Sequence, residues 1–598
     1  MGGYKTFNVL PYHYNSGTIT SQHPSKINGQ IKTDTVQMNK YPEAILCTFD
    51  PAGTGNPLSI GIVLIKEPNE VEIDTYKAWR IGIDFGTTGT TVFYCNNEEN
   101  QEPQRLSFSD KLHVNITASD QERHPDLYKA FIPEEVKNPP FLSVFHLINK
   151  MAEDPLKPLI DGNIAYILSE HETGSEFDAS SEFDASEDDI KTDLKWSDKQ
   201  SDRVYSDAFL RQLFLQCAAE AVYRGVNTVK WKYSYPVNFS LDRTFHITWK
   251  KILESYSSLI CLKLDEQSPE ITGESESVAS GMYFGEHPEF GASFAEGVIC
   301  LDIGGGTTDI SIWHGSDNKL VHQTSLLFAG RNIFLDILFK ERDIFAKFTQ
   351  NKRQLYLVNK HKNKKLFYSQ ADVLIMQDGE KWINEKLGAI TGEDVYKGLR
   401  NLISIGIGGI FYYVGLILRH FLNEKKLNLK IPSIYVGGNG SKLFHWIADT
   451  QYSKESDINT LLRGVLVACT STYLSNDKSK GFEIFLSKDP KSEAAYGLTV
   501  KDEIYLKYDI KSQNKAIFSG ESYRYNSEEQ DWNSMITEDR LISGIEIDRD
   551  LTQLKEFVSI FNYHAEESNL QQIEVDGEIY DKIIAKVTLR LAIFRKSS

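Results

Sequence analysis

The sequence predicts an α/β fold of two lobes facing each other across a cleft. Three observations predict it. A strand–turn–strand rich in Asp, Gly and Thr occurs at 81–94, and the same pattern recurs at 298–313. Strand-like and helix-like segments are mixed along the chain. The length, 598 residues, suits one large two-lobed core or three or more domains.

Composition narrows the classes further. Hydrophobic residues make up 41% and charged residues 25%, as in a globular protein. The net charge of −18 argues against nonspecific binding to nucleic acid or to an anionic membrane. The six cysteines, Cys47, Cys95, Cys217, Cys261, Cys300 and Cys469, form no CxxC pair, so neither a zinc site nor a disulfide framework is indicated. They read as free thiols of a reducing compartment. The amino terminus has no apolar run of signal-peptide length, which sets the expectation of a cytoplasmic protein.

In chain order, residues 1–75 read as a β-rich extension, with "EAILCTFDP" and "LSIGIVLIKEP" as strands. The first hairpin, "IGIDFGTTGTTVFY", follows. Ile81, Ile83 and Phe85 alternate with Gly82 and Asp84, and a β-branched, aromatic strand resumes at Val92. An ordinary hairpin needs glycine, but not Thr87, Thr88, Thr90 and Thr91 as well. Turn amides and hydroxyls are what a phosphate group requires. Read alone, the segment serves equally as a turn with polar chemistry.

Residues 170–203 contain the doublet SEFDAS–SEFDAS and read as a solvated acidic loop. A helix over 206–225 follows, with Ser206 or Asp207 to cap it and Gly225 to end it. Then come a strand, "TVKWKYSYPVNFS", and a helix of small residues, "ESVASGMYFG". The second hairpin is "VICLDIGGGTTDISIW", with Asp302, Gly304, Gly305, Gly306, Thr307, Thr308 and Asp309. Neither hairpin is a Walker loop, because there is no GxxxxGK[ST] and each turn leads into a strand. Two such hairpins can hold a polyphosphate from both sides, with Asp84 and Asp302 around one Mg²⁺.

The apolar run 402–418 carries four glycines and reads as a buried core helix instead of a membrane span. Lys352, Arg353, Lys360, Lys362, Lys364 and Lys365 form a basic cluster. It reads as an exposed helix face, with contact to nucleic acid or an acidic partner as the alternative. A third glycine turn, "IYVGGNGSKL", joins a strand to a helix. Residues 501–598 read as a separate α+β tail.

At this point the sequence resembles the superfamily of actin, the DnaK-type heat-shock chaperones and the sugar kinases. Five segments match its motifs in order. "IDFGTTGTT" is similar to the first phosphate motif, "ESVASGMYFG" to the first connecting motif, and "LDIGGGTTDIS" to the second phosphate motif. "IYVGGNGSKL" is similar to the adenosine motif, and "DPKSEAAYGLTV" to the second connecting helix in its chaperone form. The resemblance covers about 78–500. It implies an actin-like ATPase fold of duplicated ribonuclease-H-like lobes, with a core at 76–500. Lobe I would span about 76–290, lobe II about 291–480, and a return helix 489–500 would come back to lobe I.

The resemblance also implies roles. Asp84 would hold Mg²⁺ through water, and Asp302 would hold it or orient the attacking water. Glu276 would position that water. Gly86, Thr87, Thr88, Gly304, Gly305, Gly306 and Thr307 would meet the phosphates, and Asp309 would order the second hairpin. Gly330, Arg331, Gly437, Gly438 and Asn439 would meet the nucleoside. The implied ligands are ATP or ADP with Mg²⁺, and the implied activity is slow ATP hydrolysis. The switch would act on a protein partner, with neither nucleic acid nor membrane involved. The alternatives are a nucleotide-dependent filament, which needs self-association, a small-molecule kinase, or a sensor that binds without turnover. The chaperones' catalytic lysine has no clear counterpart in 95–170. The 98 residues after 500 are short for the chaperones' client-binding region.

Overall fold

The computed structural model describes residues 74–96, 102–107, 194–196, 200–237, 243–259, 272–348, 393–424, 430–448, 451–470, 481–501, 517–536 and 550–586, with shorter pieces elsewhere. The SEFDAS doublet and most of the basic cluster lie outside the described residues.

Each lobe is built on a sheet of the same order. In the first, β1 (Asp74–Phe85) and β2 (Gly89–Asn96) form an antiparallel hairpin, and β3 (Gln104–Arg105) continues on β2. On the other side of β1 lie β4 (Val226–Tyr235) and then β5 (Thr272–Ser275), both parallel. The order is therefore 3-2-1-4-5, with the hairpin central. Helices α1 (Gln200–Tyr223) and α2 (Arg243–Leu259) supply one covering layer. Phe209, Leu213, Phe214 and Trp249 pack against Ile81, Ile83, Phe85 and Trp231. A parallel step such as β1 to β4 needs a long crossover, and α1 lies within it.

The second lobe repeats this plan. Strands β6 (Val298–Ile303), β7 (Thr308–His314) and β8 (Lys319–Leu326) form the antiparallel meander. Strands β9 (Ser433–Gly437) and β10 (Ile484–Leu486) extend β6 in parallel. The order 3-2-1-4-5 is again complete, so the ribonuclease-H-like unit is present twice. Between the two sheets run α3 (Glu276–Glu286) and α6 (Glu493–Leu498). They cross so closely that a side chain at Gly497 would strike the Ala279 carbonyl. The return helix therefore locks the connecting helix beneath both hairpins.

The apolar run 402–418 lies inside α4 (Asp394–Asn423), which is long and apolar enough to cross a bilayer by length and composition alone. Here its glycines serve close packing. Gly406 lies against Ile333, Gly408 against Phe557 and Gly415 against Cys469. Helix α5 (Ile458–Thr470) covers it from one side.

Two expectations need correction. The acidic loop does not extend to 203: a two-residue strand at Ile190–Lys191 and a short helical turn at Leu194–Trp196 precede α1, which starts at Gln200. Leu194 is buried in the lobe I core and anchors this turn. Nor is the carboxy-terminal region a separate tail. Helix α7 (Thr552–Ala565) sends Phe557, Phe561 and Ala565 into the same apolar cluster as α4 and α5. Arg419 and Tyr412 on α4 both reach Glu556, at 2.9 and 2.7 Å. Arg400 donates to the carbonyls of Ile447 and Asn569, tying the end of this region to the lobe.

Candidate functional site

The two hairpins face each other. A side chain added at Gly305 would meet the Thr88 methyl at 3.3 Å, which places the second turn directly over the first. Each turn is closed by its own backbone: Gly86 N–H donates to Gly89 at 3.1 Å, and Gly304 N–H to Thr307 at 2.8 Å. Thr87 and Thr307 are buried in these turns, and Gly306 completes the second. Ser143 braces the first from behind. Its hydroxyl donates to the Gly86 carbonyl at 2.7 Å, and its N–H donates to the Thr88 carbonyl at 3.0 Å. The segment at 330 braces the second, since Gly330 and Arg331 donate to the carbonyls of Gly304 and Gly305.

Between the hairpins converge the carboxylates that the sequence singled out. Asp84, at the end of β1, accepts a 2.7 Å hydrogen bond from Ser234 on β4 and an ion pair from Lys491. Asp302, on β6, accepts from Ser280 on α3 at 3.0 Å. Glu276 opens α3, where Ser275 caps the helix by accepting the Val278 N–H at 3.3 Å. That position puts a carboxylate in the first turn, at the positive end of the helix. Glu276 is paired with Lys195. Asp309 faces Asp302 across β6 and β7 and is buried, with Oδ1 lacking a hydrogen-bond partner.

Charge and burial set the protonation of this cluster. Burial pushes the Asp84 carboxyl up, but the ammonium groups of Lys491 and Lys195 and the bonds from Lys491 and Ser234 outweigh it, leaving Asp84 below its ordinary value. Burial raises Asp302 to about 6; Lys491 opposes this, while Glu276 and Asp84 add to it. Asp309 is pushed well above the carboxylate range by burial, then by the charges of Glu276 and Asp302. One site thus holds an ionised carboxylate beside groups that bind protons more readily, the condition for moving a proton near neutral pH.

Sequence reasoning missed two lysines. Lys195 stands in the stretch read as loop, and its side chain is only 3% exposed. Lys491 stands inside the "DPKSEAAYG" match. Glu493, matched there without a role, joins the lobes: Oε2 accepts the Lys491 N–H at 2.8 Å and Oε1 accepts the Gly438 N–H at 3.3 Å. Burial and the Asp302 charge raise it to about 8. The only sequence signals for these groups were an apolar–basic–aromatic triplet, "LKW", within acidic residues, and a lysine in an otherwise matched motif.

The glycine turn at 437–438 plays a different part from a flat seat for a ring. The space over Gly437 is filled by the Glu493 carboxylate, and that over Gly438, at φ 73°, by Asp302 and the Ile303 carbonyl. Open room lies beside it. A cavity of about 730 Å³, including its mouth to solvent, is lined by Thr88, Gly305, Arg331, Phe334, Trp446 and Asn439 among others. It runs from the hairpin turns to an aromatic wall at Phe334 and Trp446. The turn residues Gly330, Arg331 and Asn439 thus border the cavity, whereas Gly437 and Gly438 support it from behind.

Mg²⁺ keeps most of its waters and needs one or two free carboxylates, and here the carboxylate of the first hairpin is already engaged, so a resident Mg²⁺ fits poorly. Both oxygens of Asp84 are taken, one by a hydroxyl and one by an ammonium.

No family model matches the chain, and no curated protein matches it. Among solved structures it is similar to the ethanolamine utilization protein EutJ from Carboxydothermus hydrogenoformans. That match has 12% identity and a TM-score of 0.27, covering 70% of this chain and 89% of the other. It is also similar to a non-polymerising MamK mutant bound to AMPPNP, at 12% identity and a TM-score of 0.28, covering 71% of this chain and 98% of the other. The fold assignment rests on strand order. With two 3-2-1-4-5 sheets, an Asp–Gly–Thr hairpin at the centre of each and a return helix beneath both, the chain has the actin-like ATPase fold.

Proposed function

We propose that the chain binds ATP between its lobes and hydrolyses it slowly, and that the nucleotide state regulates a protein partner. The observation that carries this reading is the buried Lys195–Glu276 pair, whose charges bear on Asp84, Asp302 and Asp309 of the two hairpins. Turn amides and threonine hydroxyls supply donors to the phosphates. In this reading Glu276, held by Lys195, orients a water for attack on the terminal phosphate, and Asp302, raised to about 6, takes its proton. Lys195 supplies the fixed positive charge that such a transfer needs, in the role that the chaperone resemblance assigns to a lysine. Lobe movement would follow from contacts that the terminal phosphate makes with both hairpins and that ADP cannot make.

The test is phosphate release from ATP by the purified chain, with and without a panel of sugars. Release with ATP alone, lost in Glu276→Gln while ATP binding persists, supports the switch. Release only with a sugar moves the assignment to a kinase.

A further inference from the structure

We propose that the ammonium of Lys491 is the cleft's own resident cation, seated where a divalent ion would otherwise bridge the hairpin carboxylates and the phosphates. The Nζ pairs with Asp84 on the first hairpin, and its charge also faces Asp302 and Glu276. Three features hold it there. Lys491 adopts φ 86°, a left-handed backbone that is strained for a non-glycine residue and persists only where the surroundings impose it. Glu493 imposes it by accepting the Lys491 N–H, while its other oxygen holds the Gly438 turn of lobe II. Gly86 leaves the room, since a side chain there would collide with the Lys491 Nζ and Cε. The head group is therefore wedged into the first phosphate turn itself.

A cation fixed at this place repels a second one. Divalent metal and the ammonium compete for the Asp84 oxygens, and a compact ammonium with three donors can serve both carboxylate and phosphate. The consequence for nucleotide, which rests on the proposed function, is that triphosphate binding depends only weakly on divalent metal.

The deciding experiment titrates Mn²⁺ alone into the full chain without nucleotide, followed by electron paramagnetic resonance. Wild type is expected to take up no Mn²⁺ at micromolar concentration. Lys491→Met is expected to bind one ion per chain, and Lys491→Met with Asp84→Asn none. Equal Mn²⁺ binding by wild type and Lys491→Met, or none by either, overturns the proposal. Near-UV circular dichroism checks the fold, and Lys491→Gln replaces the methionine variant if that one does not fold. A second measurement needs no variant: calorimetry of AMPPNP with wild type in EDTA and in Mg²⁺. Affinities within about threefold of each other support the proposal, and loss of about a hundredfold in EDTA contradicts it. If AMPPNP binds under neither condition, the nucleotide reading falls, and the Mn²⁺ titration still decides the place of Lys491.

Discussion

Replacing Lys195 with Met tests whether the missed lysine holds the site together. The Lys195 side chain is 3% exposed and its partner Glu276 is 9% exposed, so the substitution leaves a carboxylate buried without its counter-ion. Removing one member of a buried pair costs about 3–5 kcal/mol. The loss is spread, because the Lys195 charge also bears on Asp84 and Asp309. Glu276→Gln alone costs less, since Lys195 still has the Asp84 and Asp309 carboxyls nearby. The double variant should recover much of the loss, with a coupling of about 2 kcal/mol. Urea unfolding, followed by tryptophan fluorescence, measures each corner of the cycle. An exposed pair supplies the control: Lys250 and Glu254 lie 3.9 Å apart with side chains 51% and 47% exposed. Lys250→Met should cost less than about 1 kcal/mol. If Lys195→Met costs no more than this control, or shows no coupling to Glu276, the buried pair does not organise the site.

Three further outcomes follow from named contacts. Gly497→Ala should lower stability by about 3 kcal/mol, read from the urea midpoint, because the new methyl meets the Ala279 carbonyl and pushes α3 and α6 apart. Glu493 titrates at about 8 in the folded chain against 4.5 ordinarily. Its contribution to stability is thus full below pH 4.5 and is lost as pH rises through 8, at up to about 1.4 kcal/mol per unit; Glu493→Gln should flatten that slope in unfolding curves taken from pH 5 to pH 8. Arg331→Ala should weaken AMPPNP and ADP alike by about tenfold in calorimetry, because Arg331 lines the nucleoside end of the cavity.

Much of the fold was legible because its signals are local. A hairpin with Asp at a strand end and glycine in the turn is written in consecutive residues, and its repetition at Asp302 announced the second lobe. Glu276 was legible because it opens the consecutive segment "ESVASGMYFG", which is similar to the first connecting motif. Lys195 was not, because its meaning lies in a contact 81 positions away. The acidic composition around it reads as solvated loop until Leu194 is seen in the core. Lys491 pairs with Asp84 across 407 positions, and only the folded chain shows that the glycine at 86 is there to admit it. The tail after 500 was misread because "LTQLKEFVSIF" presents an apolar helix face without naming the surface it covers. That surface is the face of α4 at Gly408 together with α5.

The central claim is that the paired hairpins hold ATP and that Asp302 takes part in its hydrolysis. The most direct measurement is binding and turnover of ATP by wild type beside Asp302→Ala, by calorimetry and by phosphate release. The account predicts that wild type binds and slowly hydrolyses ATP, and that Asp302→Ala loses about a hundredfold or more of the turnover. Unchanged binding and unchanged hydrolysis in Asp302→Ala would contradict it.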